Sequence, residues 1–237
     1  MAIEIDSNSY DAITFDCYGT LIDWEAGLTR YLRPLLEAHD CHAVDGFLLE
    51  FYGRAEAALQ AGPYRPYRRI LTDVLAALGE RLGFRPSPQA LADFPDSIGD
   101  WLPFPDTVPA LKALAPRFQL VVISNVDDDL FHLTQARLGI NFDHVITAAQ
   151  VGAYKPDVRP FKTAMQRIAV PKARILHVAQ SLFHDIAPAM ALGLDTVWID
   201  RHDGHGGGAT PTGQATPTWT LRNLNELVEA LKVVEST

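Results

Sequence analysis

Two hydrophobic rhythms run along this chain. Residues 11–15 form a short apolar and β-branched run that predicts a buried strand. The spacing then becomes helical. Leu28, Leu32, Leu35 and Leu36 predict a helix over 21–38, kinked at Pro34. Phe47, Leu48, Phe51, Ala55, Ala58 and Leu59 predict a second over 44–59, and Ile70, Leu71, Val74, Leu75, Leu78 and Leu82 a third over 68–82 closed by Gly83. A short fourth helix is expected over 90–101. So long a stretch without a strand exceeds a simple βαβ crossover, and an all-helical insertion ending at Leu102-Pro103-Phe104-Pro105 explains it better.

Beyond that point strands and helices alternate. Strands are expected over 119–124, 144–147, 174–179 and 196–199, and helices over 107–115, 129–138, 160–169, 186–192 and 221–233, with a Gly-, Thr- and Pro-rich loop at 204–218. Such alternation predicts an α/β fold with a mostly parallel sheet covered on both faces. The expected division is a Rossmann-like catalytic core from 1–20 and 103–237, with a helical body from 21–102.

Composition narrows the function. The chain has 237 residues, 48% of them apolar, enough for a sizeable core. A net charge of -9 argues against a nucleic-acid binder, which needs clustered Lys and Arg. No apolar run is long enough to span a membrane, and the polar, acidic start is unlike a signal peptide, so a cytoplasmic enzyme is expected. Cys17 and Cys41 form no C-x-x-C pair. An apolar face on the helical body leaves a homodimer open.

Polar groups stand just beyond four predicted strands: Asp16, then Ser124-Asn125, then Lys155, then Asp185. In a parallel sheet the C-terminal strand ends share one edge, so these positions converge on one crevice. Each also has a plainer reading. Asp16 could cap a turn, Lys155 could be a solvated loop residue, and Ser124-Asn125 and Asp185 could cap the helices that follow them. His202-Asp203-Gly204-His205 offers no third ligand and reads as solvated loop, so no metal site is expected.

The set Asp16-Cys17-Tyr18-Gly19-Thr20, Ser124-Asn125, Tyr154-Lys155-Pro156 and Asp185 resembles the four motifs of the haloacid dehalogenase superfamily, and the helical body resembles that family's cap. Asp-x-Tyr-Gly-Thr is similar to the L-2-haloacid dehalogenase branch. The phosphatases of the superfamily carry a second Asp where this chain has Tyr18, and that Asp protonates a leaving alcohol. Halide is a weak base and needs no such proton. The resemblance implies a hydrolase of small 2-substituted carboxylic acids, foremost an (S)-2-haloacid dehalogenase that needs no cofactor. Asp16 would attack, forming an ester. Lys155 would keep Asp16 ionised, and Asp185 would orient or activate the water that cleaves the ester. Tyr18, Thr20, Ser124, Asn125 and Phe161 would meet the substrate or its carboxylate.

The chain also departs from that branch. The family has a Ser and an Asn five and three positions before the motif-four Asp; here these are Gln180 and Leu182, so Gln180 or His184 would have to hold the water. The family's Tyr six positions after the Lys is Phe161. For the Arg that receives halide, Arg54 is the nearest candidate, with Arg65, Arg68 and Arg69 also on the helical body. The segments 16–25 and 180–185 are also similar to azetidine-2-carboxylate hydrolases, which implies a ring nitrogen as leaving group and an acid such as His184, Glu56 or Asp185 to protonate it. A magnesium-dependent phosphatase is the remaining alternative.

Overall fold

A computed structural model describes residues 3–202 and 214–233. The core is one six-stranded sheet of β1 (Ala12–Phe15), β2 (Gln119–Ser124), β3 (His144–Thr147), β4 (Ile175–Ala179), β5 (Asp195–Ile199) and β6 (Trp219–Leu221). Their order is β3-β2-β1-β4-β5-β6, and every neighbouring pair is parallel. All four residues of β1 and all five of β4 are buried, as strands covered on both faces require. The chain leaves β1 in one direction for β2 and β3, then returns to β1's other side for β4. The order therefore reverses between β1 and β4, where open α/β sheets bind ligands.

Helices α1 (Trp24–Glu37), α2 (Asp45–Gln60), α3 (Tyr67–Leu82) and α4 (Pro88–Asp96) lie between β1 and β2. Leu28, Leu32 and Leu36 of α1, Leu48 and Tyr52 of α2, and Ile70, Leu71, Val74, Leu75 and Leu78 of α3 are buried in one apolar cluster. Gly27 lets α1 approach the segment that follows α4: a Cβ there would lie 2.3 Å from the Trp101 ring. The remaining helices are α5 (Thr107–Leu114), α6 (Asp128–Leu138), α7 (Ala148–Val151), α8 (Arg159–Ile168), α9 (Ala187–Ala191) and α10 (Leu224–Ala230).

Two differences from the expected elements have physical reasons. Residues 219–221 form a strand that was not expected, and the last helix, expected from 221, starts at Leu224, because three residues are too few for an alternating pattern to register. The predicted helix over 186–192 begins earlier, as a π-helical turn at Leu182–Ile186 that runs into α9. Most of the predicted 204–218 loop, and His205 with it, lies outside the described residues.

Helix α3 starts without a cap of its own, at Pro66. The missing acceptor comes from the loop after β2. Asp127 accepts the Tyr67 N–H at 3.0 Å and the Arg68 N–H at 2.8 Å. A carboxylate at a helix N-terminus is favourable, and this one pins the start of α3 to the sheet edge. Among the described residues no helix is long and apolar enough to cross a membrane.

Candidate active site

The loop after β1 turns sharply. The Asp16 N–H is bonded to Val178 O, and Gly19 adopts φ 94°, a conformation that disfavours a side chain. A Cβ on Gly19 would also stand 3.2 Å from Gln180 Oε1 and 3.3 Å from Trp24 Nε1. The turn brings Thr20 back over Asp16. Thr20 Oγ1 donates to Asp16 Oδ2 at 2.7 Å and accepts the Gln180 N–H at 2.9 Å, so one hydroxyl ties the ends of β1 and β4 together.

Lys155 reaches the same point from the loop between α7 and α8. Its ammonium donates to Asp16 Oδ1 at 2.7 Å, Asp185 Oδ1 at 2.7 Å and Ile123 O at 2.8 Å. Three acceptors use all three of its hydrogens. Asn125 fixes the backbone beneath it, accepting the Lys155 N–H at 2.7 Å and donating to its carbonyl at 3.1 Å. Asp185 comes from the π-helical turn, and His177 Nε2 lies 3.3 Å from its Oδ1.

These groups are buried, which sets their charges. Burial pushes the Asp16 carboxyl up, as does the nearby Asp185 charge, while Lys155 opposes the rise. Burial would raise Asp185 as well, but Lys155 and His177 more than reverse it. Burial alone would lower Lys155, and the two carboxylates raise it instead. Asp16 is thus the weaker acid of the pair and, once ionised, the better nucleophile.

The pocket above them encloses ≈ 70 Å³, room for a molecule of a few heavy atoms. Its other wall is helical. Tyr52, Glu56 and Gln60, four residues apart on one face of α2, line it with Tyr67, Trp24, Trp101 and Tyr18. The Tyr67 hydroxyl donates a short hydrogen bond to Glu56 Oε1, and the Tyr52 hydroxyl lies 2.8 Å from that of Tyr67. Burial raises the Glu56 carboxyl to about 7 despite these two donors. His184 moves the other way, lowered to about 4 by burial.

The structure brings together Asp16, Tyr18, Asn125, Lys155, Gln180, His184 and Asp185 around the pocket, with Thr20 directly behind Asp16. Other expected residues stand elsewhere. Arg54 is on the outer side of α2, 80% exposed and paired with Glu50, because the pocket-facing stripe of that helix is Tyr52, Glu56 and Gln60. Arg65, Arg68 and Arg69 are paired with Asp73, Asp96 and Asp129. Among the described residues no arginine lines the pocket. Phe161 is wholly buried and meets the His177 ring edge-on at 5.2 Å instead of meeting the pocket. Ser124 is buried beside the site, and its Oγ finds no partner among the described residues. The Tyr18 hydroxyl is bonded to Thr134 at 2.8 Å.

His177 and the pocket aromatics Trp24, Tyr52, Tyr67 and Trp101 are not among the residues that the sequence pattern singles out. His177 did leave a signal: a histidine inside the otherwise apolar run of β4 has to find partners within the core. The Lys155 ammonium already lies between the Asp16 and Asp185 carboxylates, and no group of three or more His, Cys, Asp or Glu among the described residues could hold a metal.

The (S)-2-haloacid dehalogenase H-109 of Pseudomonas putida is 27% identical over 93% of this chain and 97% of its own length. A 5-amino-6-(5-phospho-D-ribitylamino)uracil phosphatase of Escherichia coli is 33% identical, but over only 40% of this chain and 38% of its own. Among solved structures, the L-2-haloacid dehalogenase of Xanthobacter autotrophicus superposes with a TM-score of 0.80 at 21% identity, covering 94% of this chain and 98% of that one, which shows the shared fold. The sequence model of the haloacid dehalogenase-like hydrolases matches residues 10–193, from just before β1 to the end of the α9 turn, and this chain belongs to that family of hydrolases.

Proposed function

We propose that this hydrolase displaces the substituent at C2 of small carboxylic acids, foremost the halide of (S)-2-haloacids, through an ester on Asp16. Residues 1–20 and 103–237 act as the catalytic core, and residues 21–102 as a cap whose helices close the pocket. One observation carries the reading: a buried carboxylate, positioned through both oxygens by Thr20 and Lys155, faces a pocket the size of a small acid, with Tyr18 where a leaving alcohol would need an acid. The names of the Pseudomonas relatives support the same chemistry.

In the first step an Asp16 oxygen bonds to C2 as the carbon–halogen bond breaks, and halide leaves with the electron pair. In the second, water attacks the Asp16 carbonyl carbon. Asp185 takes the water's proton, the bond from that carbon to the substrate oxygen breaks, and the 2-hydroxy acid leaves with the proton returned to it. Lys155 steadies the charge that develops beside it. The test is halide release from 2-chloropropionate with and without EDTA. Release indifferent to EDTA is expected; EDTA-sensitive phosphate release from phosphate esters, with no halide, would sink the reading.

Glu56 favours a second leaving group. Of the three acids that the ring-opening resemblance offers, His184 has lost its proton well below neutrality and Asp185 is held ionised, while Glu56 keeps a proton up to about pH 7. With a neutral acid in the pocket wall and no guanidinium, the site suits a basic nitrogen of a strained ring, which leaves C2 only if protonated. Amino-acid product from azetidine-2-carboxylate, with no halide from 2-chloropropionate, would put this reading first.

A further inference from the structure

Thr14 on β1 and His177 on β4 are register partners in the middle of the sheet. His177 is wholly buried. Its Nδ1 lies 2.9 Å from Thr14 Oγ1, and its Nε2 lies 3.3 Å from Asp185 Oδ1. An ionised Asp185 can only accept, so Nε2 carries the hydrogen and a neutral ring is left with a bare Nδ1. The Thr14 hydroxyl fills that lone pair as donor. Its other acceptor, Leu176 O, is 3.4 Å away and makes a poorer bond.

The result is an asymmetric carboxylate. Asp185 Oδ1 is held from two sides, by Lys155 and by His177. Asp185 Oδ2 is buried and has no partner among the described residues, although Asp185 lines the pocket. A buried carboxylate oxygen without a donor is costly, and a water or reacting group is what would satisfy it.

We infer that His177 is a positioning residue for the second half of the turnover: it clamps Asp185 so that Oδ2 is presented to the water that cleaves the Asp16 ester. The inference rests on the reading of Asp16 as nucleophile. Once Asp16 is esterified it has lost its charge, and its hold on Lys155 weakens. Lys155 and His177 are then the two donors that define Asp185. Without His177, the carboxylate can turn and offer either oxygen to Lys155, and the water loses a fixed base. The first half of the reaction, which uses Asp16 and not Asp185 Oδ2, is left alone.

The experiment compares His177→Leu with His177→Gln, whose amide N–H can stand in for Nε2–H. With 2-chloropropionate, His177→Leu should still release one equivalent of chloride per site in the first turnover at close to the parent rate. Its kcat should fall roughly 10- to 100-fold, and mass spectrometry should find the acyl adduct accumulating on Asp16. His177→Gln should recover most of kcat. Equal slowing of burst and steady state, an unchanged kcat, or no accumulated adduct would each overturn the inference. The ring itself gives a readout that needs no substrate. In ¹⁵N spectra of the parent protein, the neutral form of the His177 ring should carry its hydrogen on Nε2, and Thr14→Val should weaken that preference. A neutral Nδ1–H ring would overturn the inference even if His177→Leu fails to fold. If the parent releases no halide, the proposed function fails, and the spectra still decide whether His177 donates to Asp185.

Discussion

On the strand side of the pocket every charge has a partner: Lys155 donates to Asp16 and Asp185 at 2.7 Å each, and Thr20 and His177 meet the same two carboxylates. On the helical side, Glu56 has two tyrosine hydroxyls and, among the described residues, no cation. The strand side holds Asp185 ionised by compensation and sets the same ammonium against burial at Asp16, whereas on the helical side burial lets Glu56 keep its proton up to about pH 7. A nucleophile needs the first arrangement and a proton donor the second. The two walls can therefore divide the work, with bond-making at the sheet edge and the choice of leaving group on the helices.

The sharpest way to break this division is at Asp16. Asp16→Asn keeps the shape and the Thr20 contact but removes the attacking charge, and turnover should drop by at least about 10³-fold with every leaving group. Unchanged circular dichroism would show that the fold survived. Activity surviving at more than a small fraction of parent would remove Asp16 from the nucleophile role. Lys155→Met comes next. It leaves two buried carboxylates uncompensated, so it should abolish most activity and also cost about 3–5 kcal/mol of stability, read by chemical denaturation. Loss of activity at parental stability would mean that the strand side does not depend on charge compensation.

Glu56→Gln tests the helical side, and its effect should depend on the substrate. Halide release should change by less than about 3-fold, since halide needs no proton. Any turnover of a nitrogen-leaving substrate should collapse, and in the parent such turnover should decline as pH rises through about 7. Stability gives an independent check with a definite sign. The Glu56 carboxyl is raised above its ordinary value, so the folded protein holds a proton there that the unfolded chain has released. Its contribution is present at low pH and is lost as pH rises from about 4.5 to about 7, and Glu56→Gln should flatten that slope in pH-dependent unfolding. The smallest effect is expected from Tyr18→Phe. It removes one hydrogen bond to Thr134 at about 1 kcal/mol, and halide release should stay within a few-fold, because the ring and not the hydroxyl faces the pocket chemistry.

Much of the strand side was legible beforehand. Asp16, Lys155 and Asp185 each follow an apolar strand run, and period and burial alone bring strand ends to one edge. The helical side was far less so. Arg54 looked suitable as a pocket cation because the spacing of apolar residues shows that α2 is a helix without showing which polar stripe faces inward. Tyr52, Glu56 and Gln60 hold that position, set by how α2 lies against α3 and the sheet edge. Phe161 was expected against the substrate and instead supports His177, a shift of one layer that depends on how α8 packs.

The sequence by itself determined the alternation of strands and helices, the helical insertion after β1, and the order of the four polar strand ends. Those features follow from local periodicity and from the parallel connections it imposes. Only the tertiary structure decided that Thr14 and His177 stand across from one another behind Asp185, that Asp127 caps a helix 60 residues away, and that a glutamate of α2 holds its proton up to about pH 7 in the pocket. Hydrogen-bond partners and the local dielectric are properties of packed surfaces, and they come from residues far apart in the chain, so no local pattern encodes them.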